Sequence, residues 1–232
     1  MLTPMFFGPF LIFYAIAFFL VLAFLFVLVE IHVISYAFET IGLSPELAFL
    51  ALFASLVGSY INIPIAKISG GAPHRADFVD SFGIRYRVPI RYAGEETTLA
   101  INVGGAIVPV LISLYVLAYH PGAILPALIG VAMVALVVNR WARPVPGLGI
   151  ATPMIVPPIT AALSAWVLVG LFGGPNHIFA IAYVSGVLGT LIGADLLNLK
   201  KLGGLGAPVA SIGGAGTFDG VFLTGIVAVL LA

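Results

Sequence analysis

The chain has no cysteine and very little charge, with 9 Lys plus Arg and 9 Asp plus Glu among 232 residues. Without cysteine there are no disulfides, thiolate metal sites or cysteine nucleophiles. Charged residues make up 8% of the chain, about a third of the roughly 25% of a soluble domain, which excludes a water-soluble fold. The formal net charge is zero, so no basic surplus exists to neutralise a phosphate backbone, and nucleic acid is excluded as a partner. There is no Walker sequence for an ATP-driven machine. His32, His74, His120 and His177 form no HExxH or paired spacing, so neither a metal nor any other cofactor is expected.

What the chain has in quantity is apolar residues, 62% of the total. At about 20 residues per crossing this supplies roughly seven spans and leaves little for an extramembrane domain. The reading is an all-α transmembrane fold forming one integral domain over 1–232, with the lipid bilayer as its first partner. Cutting the hydropathy runs at charges and Pro/Gly clusters puts the spans at about 6–29, 46–63, 99–118, 123–139, 154–172, 178–198 and 217–232.

The basic residues fall on one side of this topology. Lys67, Arg75, Arg85, Arg87 and Arg91 lie between the second and third spans, Arg140 and Arg143 between the fourth and fifth, and Lys200 and Lys201 between the sixth and seventh. The alternate loops hold only Glu30, Glu39, His32, His120 and His177. The positive-inside rule then makes the N-terminus cytoplasmic and the C-terminus external. The largest loop, about 64–98, contains FGIRYRVPIRY (82–92). There Ile84, Tyr86 and Val88 alternate with Arg85 and Arg87, the period of a half-exposed strand. A small cytoplasmic β-hairpin follows, turning at Ala93-Gly94, with 97–103 either returning as its second strand or entering the third helix.

An internal echo links two stretches, about 46–118 and 178–232. GSYINIPIAKI (58–68) closes a helix and NVGGAIVPVLISLYVLA (102–118) opens the next; GTLIGADLLNLKKL (189–202) closes a helix and SIGGAGTFDGVFLTGIVAVLLA (211–232) opens another. The copies share an orientation, and duplicated carriers place their sites at the repeat interface. Gly193, Gly213, Gly214, Gly216 and Gly220 are candidates for close backbone packing around the second copy, tolerated at membrane depth where the backbone is buried or lines a cavity.

Seven of the nine acidic residues lie in loops or near membrane edges. Asp195 (IGADLLNL) and Asp219 (GTFDGVFLTG) are instead embedded in apolar, Gly-rich sequence, where an ionisable side chain marks a functional site. Counted along their helices, they lie about 26 Å and about 20 Å from the same membrane face at 1.5 Å per residue, close enough in height to meet. Two carboxylates in one apolar site share a proton. That pairing is the acid and base of an aspartic hydrolase. Ser59, Asn62, Asn102, Asn198 and Thr217 are candidates to line the same cavity.

On GSYINIPI, GADLLNL and GGAGTFDGVFLTG the chain as a whole resembles an uncharacterised prokaryotic multi-pass membrane family known only as a domain of unknown function. The last two helices also resemble the GxGD intramembrane aspartyl proteases of the presenilin and prepilin-peptidase type. Asp195 with Leu196 and Leu197, and Asp219 with Val221, Phe222 and Thr224, stand where that family has its two aspartates. GTFD replaces GxGD, with Phe218 in place of the glycine. The resemblance implies hydrolysis of a transmembrane peptide by Asp195 and Asp219. The same pair equally suits a small carrier or channel for a proton or small cation, and a non-catalytic membrane scaffold is the third reading.

The orientation is testable because the chain is cysteine-free. Single cysteines placed by His177→Cys and Lys200→Cys should differ in sealed right-side-out vesicles, an impermeant maleimide labelling the first and sparing the second. Labelling of both, or the reverse pattern, contradicts the charge-based topology.

Overall fold

The structure, a computed structural model, describes residues 9–68, 79–81, 84–86, 96–145, 149–202, 209–214 and 220–232. Among them, three helices are long and apolar enough to cross a membrane, over Ile16–Thr40, Pro121–Trp141 and Pro175–Lys201. Four shorter apolar helices, Pro45–Gly58, Val103–Tyr119, Val156–Phe172 and Gly220–Leu231, complete the set.

Helix α1 (Pro9–Thr40) runs well past the expected end at residue 29, so Glu30, His32 and Glu39 ride on a helix rather than in a loop. Two charges were not enough to end so apolar a segment. None of its most apolar window is buried, against 78% for the Pro175–Lys201 segment. The first is exposed over most of its described length, as a lipid-facing helix is, and the second is the centre of the bundle. Only the end of α1 joins the core, where Phe38 meets Tyr183 and Phe222 edge-to-face at ring-centroid separations of 6.3 and 5.8 Å.

Helix α2 (Pro45–Gly58) starts on an N-cap, the Ser44 hydroxyl accepting from the Leu47 amide, with proline in the first turn. It stops at Gly58 rather than running on to 63, and 62–68 becomes strand β1 (Asn62–Ile68). Ile61, Ile63 and Ile65 are β-branched, and Pro64 cannot donate within a helix. Proline is tolerated here because β1 is an edge strand with a register slip between Pro64 and Ala66.

Strands β2 (Val79–Ser81) and β3 (Ile84–Tyr86) pair antiparallel. The expected strand is present at Ile84–Tyr86, but it pairs backward with 79–81; the Ala93-Gly94 turn lies outside the described residues. Strand β4 (Thr97–Asn102) is the centre of a three-stranded sheet, antiparallel to β1 and parallel to β7 (Val209–Ile212). The third span accordingly begins in helix at Val103, not at 99. At the sheet margin Lys67 and Glu96 pair at 2.9 Å on the surface, and the Glu96 carboxylate raises the Lys67 pKa. A π-turn (Val103–Ile107) leads into α3 (Val108–Tyr119).

Helix α4 (Ile124–Trp141), a short hairpin of β5 (Arg143–Val145) and β6 (Gly149–Ala151), and α5 (Val156–Phe172) follow. Helix α6 (Ile178–Thr190) continues through a π-turn (Leu191–Asp195) and a 3-10 turn into the short α7 (Leu199–Leu202). Helix α8 (Gly220–Leu231) closes the bundle against α6 and α5.

Small residues set how closely these helices approach. Ser185, Gly189 and Gly193 recur every four residues along α6 and its π-turn and face α4: a Cβ on Gly189 would meet Val134 at 2.6 Å, and one on Gly193 would meet the Ala135 carbonyl oxygen at 2.5 Å. In lipid, where lipid tails match the apolarity of leucine, this tight packing replaces the hydrophobic drive between helices. Gly58 and Gly104 make the equivalent contact between the end of α2 and the start of the α3 π-turn, a Cβ on Gly104 running into the Ser55 carbonyl and the Ser59 amide. Gly104→Ala should therefore destabilise by about 1–3 kcal/mol, the usual cost of overpacking. Gly170→Ala, which meets nothing within 4 Å, should be neutral or slightly stabilising. Equal thermal unfolding of the two variants in detergent would rule out the close crossing.

Candidate functional site

Four interruptions of the helical segments lie together at one end of the short helices. These are the stop of α2 at Gly58, the strand-to-helix passage at Asn102, the π-turn ending at Asp195, and the glycine turn after β7. Each leaves backbone groups outside a helical ladder, and each is met by a polar side chain.

Asn102 is the hub of the first pair. It is 1% exposed, caps the π-turn by accepting from the Gly105 amide at 2.7 Å, and donates to the Ser59 carbonyl at 2.7 Å and the Asn62 side-chain oxygen at 3.0 Å. One amide thus fastens the end of α2, the start of β1 and the start of α3. The Asn62 oxygen also accepts from the Ser211 hydroxyl at 2.6 Å, across 149 residues. Ser59 belongs to the cluster through its carbonyl only, since its hydroxyl turns back to Leu56 at 2.7 Å.

Ser211 was not among the residues singled out above. Its signal was nevertheless present: Ser211 stands two residues before Gly213-Gly214 as Asn102 stands two before Gly104-Gly105. The two positions converge on one oxygen of Asn62, and the strands that carry them run parallel.

Asp195 closes the second pair. It is half-buried at the end of the π-turn, and its Oδ2 accepts from the Gly213 amide at 2.8 Å. Gly213 and Gly214 take φ of +81° and +94°, which glycine alone adopts without strain. Gly213 also lies against Gly105 and Ala106, where a Cβ would come within 2.7 Å of both. The Asp195–Gly213 pair and the Asn62–Asn102–Ser211 cluster are therefore continuous through residues 211–213.

Asn198 and Gly193 occupy the opposite side of the π-turn. Asn198 donates to the carbonyls of Gly193 and Ala194 at 3.0 and 2.9 Å, Asn139 reaches Gly193 from α4 at 3.1 Å, and Lys201 donates to the Asn198 oxygen at 2.7 Å. Asn198 thus heals the helix break. Gly220 is exposed, with no described atom within 4 Å of an added Cβ, so close packing does not explain it. It is the first residue of α8, where no side chain need fit. Gly216, Thr217 and Asp219 lie outside the described residues. His120 and His177 meet at the far end of α3 and α4 with ring centroids 5.6 Å apart. Among the described residues no three His, Asp or Glu side chains gather as a metal would require.

The hydrogen bonds rank the residues by structural weight. Asn102→Leu should lose about 1–3 kcal/mol, because it strands a buried amide and carbonyl together, whereas Ser211→Ala, removing one of the two donors to Asn62, should lose only about 1 kcal/mol. Denaturant unfolding of the purified protein reads both, and equal stability of Asn102→Leu and wild type would contradict the role of Asn102.

Neither a curated protein nor a solved structure matches the chain. One family does, over residues 56–231, a stretch holding all four interruptions and every residue of the cluster. The chain belongs to DUF1614, a family of proteins of unknown function.

Proposed function

We propose that this protein is a small multi-pass membrane carrier that moves a proton or small cation, with Asp195 as its ionisable group. The observation that carries the reading is the convergence of four helix interruptions on one polar cluster, Asn62, Asn102, Ser211 and Asp195. Irregular backbone at membrane depth is tolerated only where protein buries it or a cavity needs it. Discontinuous helices meeting at a repeat interface are the usual construction of a carrier's ion site.

The duplication of 46–118 and 178–232 supports the same reading. Its two Gly-Gly strands lie side by side in parallel, as copies of one orientation would. In this reading the chain crosses seven times, N-terminus cytoplasmic and C-terminus external. The three long helices cross alone, and the shorter ones cross with the help of the strands and turns that extend them. The end of the sheet that carries Lys67 and Glu96, with the other basic residues, then lies on the cytoplasmic side, the Asn62–Asn102 end reaches into the membrane, and His120 and His177 lie on the outer side.

The aspartyl-hydrolase reading uses the same carboxylate and has one specific support. Asp219 immediately precedes Gly220, where α8 begins, and α8 packs along α6, the helix leading to Asp195. The ionised member would activate water and the protonated one would polarise the scissile carbonyl of a transmembrane peptide. A scaffold without chemistry is what remains if Asp195 proves dispensable.

One set of proteoliposomes separates these readings. Cation or proton flux should be present in wild type and fall to the protein-free level in Asp195→Asn, with no cleavage of an added transmembrane peptide. Flux that survives Asp195→Asn sinks the carrier. Peptide cleavage lost in both Asp195→Asn and Asp219→Asn would replace it with the hydrolase.

A further inference from the structure

Resting on the carrier reading, we propose that Thr190 is the partner of Asp195 in a sodium-binding site, and that Na+ is the ion this protein recognises. Thr190 is 4% exposed, and its hydroxyl has no hydrogen-bond partner among the described residues. Threonine within a helix ordinarily back-bonds to a carbonyl one turn earlier, as Thr160 does to Val156. An unpaired buried hydroxyl is costly and asks for a use.

The π-turn supplies one. Thr190 immediately precedes Leu191–Asp195, and a π-turn is closed by i→i+5 bonds, so residues 190 and 195 stand one above the other as i and i+4 do in an α-helix. In an uninterrupted α-helix Ala194, not Asp195, would sit beneath Thr190. The extra residue brings position 195 onto the side of the helix that Thr190 occupies. Val187, one turn before Thr190, packs against Gly225 of α8, and Gly189 and Gly193 face α4. Thr190 and Asp195 therefore share the side of the helix turned away from α4, toward α8 and the Gly213 turn.

The donor set narrows the ion to a hard monovalent cation, of which Na+ is one. Thr190 offers a hydroxyl oxygen and Asp195 the carboxylate oxygen not engaged by Gly213. Oxygen donors without nitrogen or sulfur suit a hard cation. Among the described residues no basic side chain pairs with Asp195, the one ion pair being Lys67–Glu96. The one carboxylate that the described residues place there is balanced by a monovalent ion, whereas a divalent one would leave a buried positive charge.

The test uses the full-length protein in detergent, titrated with NaCl against choline chloride and against KCl at constant ionic strength, with thermal unfolding and radioactive sodium binding as readouts. A bound ion stabilises the folded state in proportion to its saturation, so Na+ should raise the unfolding temperature and K+ and choline should not. Asp195→Asn should abolish the Na+ effect. Thr190→Val should raise half-saturating Na+ roughly tenfold, or about 1.4 kcal/mol, while Thr190→Ser keeps it near wild type. In choline, Thr190→Val should unfold no earlier than wild type, because it buries a methyl in place of an unpaired hydroxyl; a merely structural hydroxyl would make it less stable in every salt. Unchanged Na+ dependence in Thr190→Val overturns the proposal, as does stabilisation by K+ equal to that by Na+. Absence of any Na+ effect in wild type, with flux still dependent on Asp195, overturns the sodium site and leaves a proton carrier standing.

Discussion

A bilayer interior offers no water to a backbone amide or carbonyl, and this requirement governs the molecule. A helix meets it internally. Wherever a helix is broken, some other group must take over. This protein breaks its helical segments repeatedly and answers each break locally. Asn102 caps the π-turn into α3 and holds the end of α2, Asn198 and Asn139 take the carbonyls left by the π-turn after α6, and Asp195 takes the amide of Gly213. The sheet β1-β4-β7 does the same for the segments between. Among these breaks, the one at Gly213 is met by an ionisable group, Asp195.

Glycine makes the arrangement physically possible. The breaks approach within distances no side chain permits: Gly104 lies on the Ser55 carbonyl, Gly193 on that of Ala135, and Gly213 on Gly105 and Ala106. Such contacts leave no freedom to slide. They fix the Asn62–Asn102–Ser211 cluster and the Asp195 carboxylate relative to one another. The periphery follows a different rule: among its described side chains α1 is buried only in its last turns, at Ala37 and Phe38, while Phe18, Phe19, Phe24 and Phe26 are exposed as lipid-facing residues are.

Much of this was legible because composition and charge are so restricted. The helices α4 and α5 fall within a few residues of the hydropathy runs, and Asp195 stood out as a carboxylate in apolar sequence. Asn62 and Asn102 stood out as polar residues near helix ends that could line one cavity with Ser59, although their direct pairing was not foreseen. Strands β1 and β7 were not. INIPIAKI and VASI are apolar on both faces, and in a chain this hydrophobic neither the 3.6- nor the 2-residue period survives to distinguish strand from helix. The ends of α1 misled for a related reason, since Glu30 and Glu39 read as loop signals although an exposed helix carries them. Ser211 was overlooked as an ordinary small polar residue, although its place before Gly213-Gly214 mirrored that of Asn102. The π-turn has no compositional signature, yet it decides which way Asp195 faces.

The central claim is that the Asp195 carboxylate binds a cation at the meeting point of the broken helices. Infrared difference spectroscopy of the reconstituted protein, recorded between sodium and choline buffers, observes that carboxylate directly. The account predicts a carboxylate band that shifts when sodium is added and vanishes from the difference spectrum of Asp195→Asn. A spectrum without such a band, or one that persists unchanged in Asp195→Asn, would contradict it.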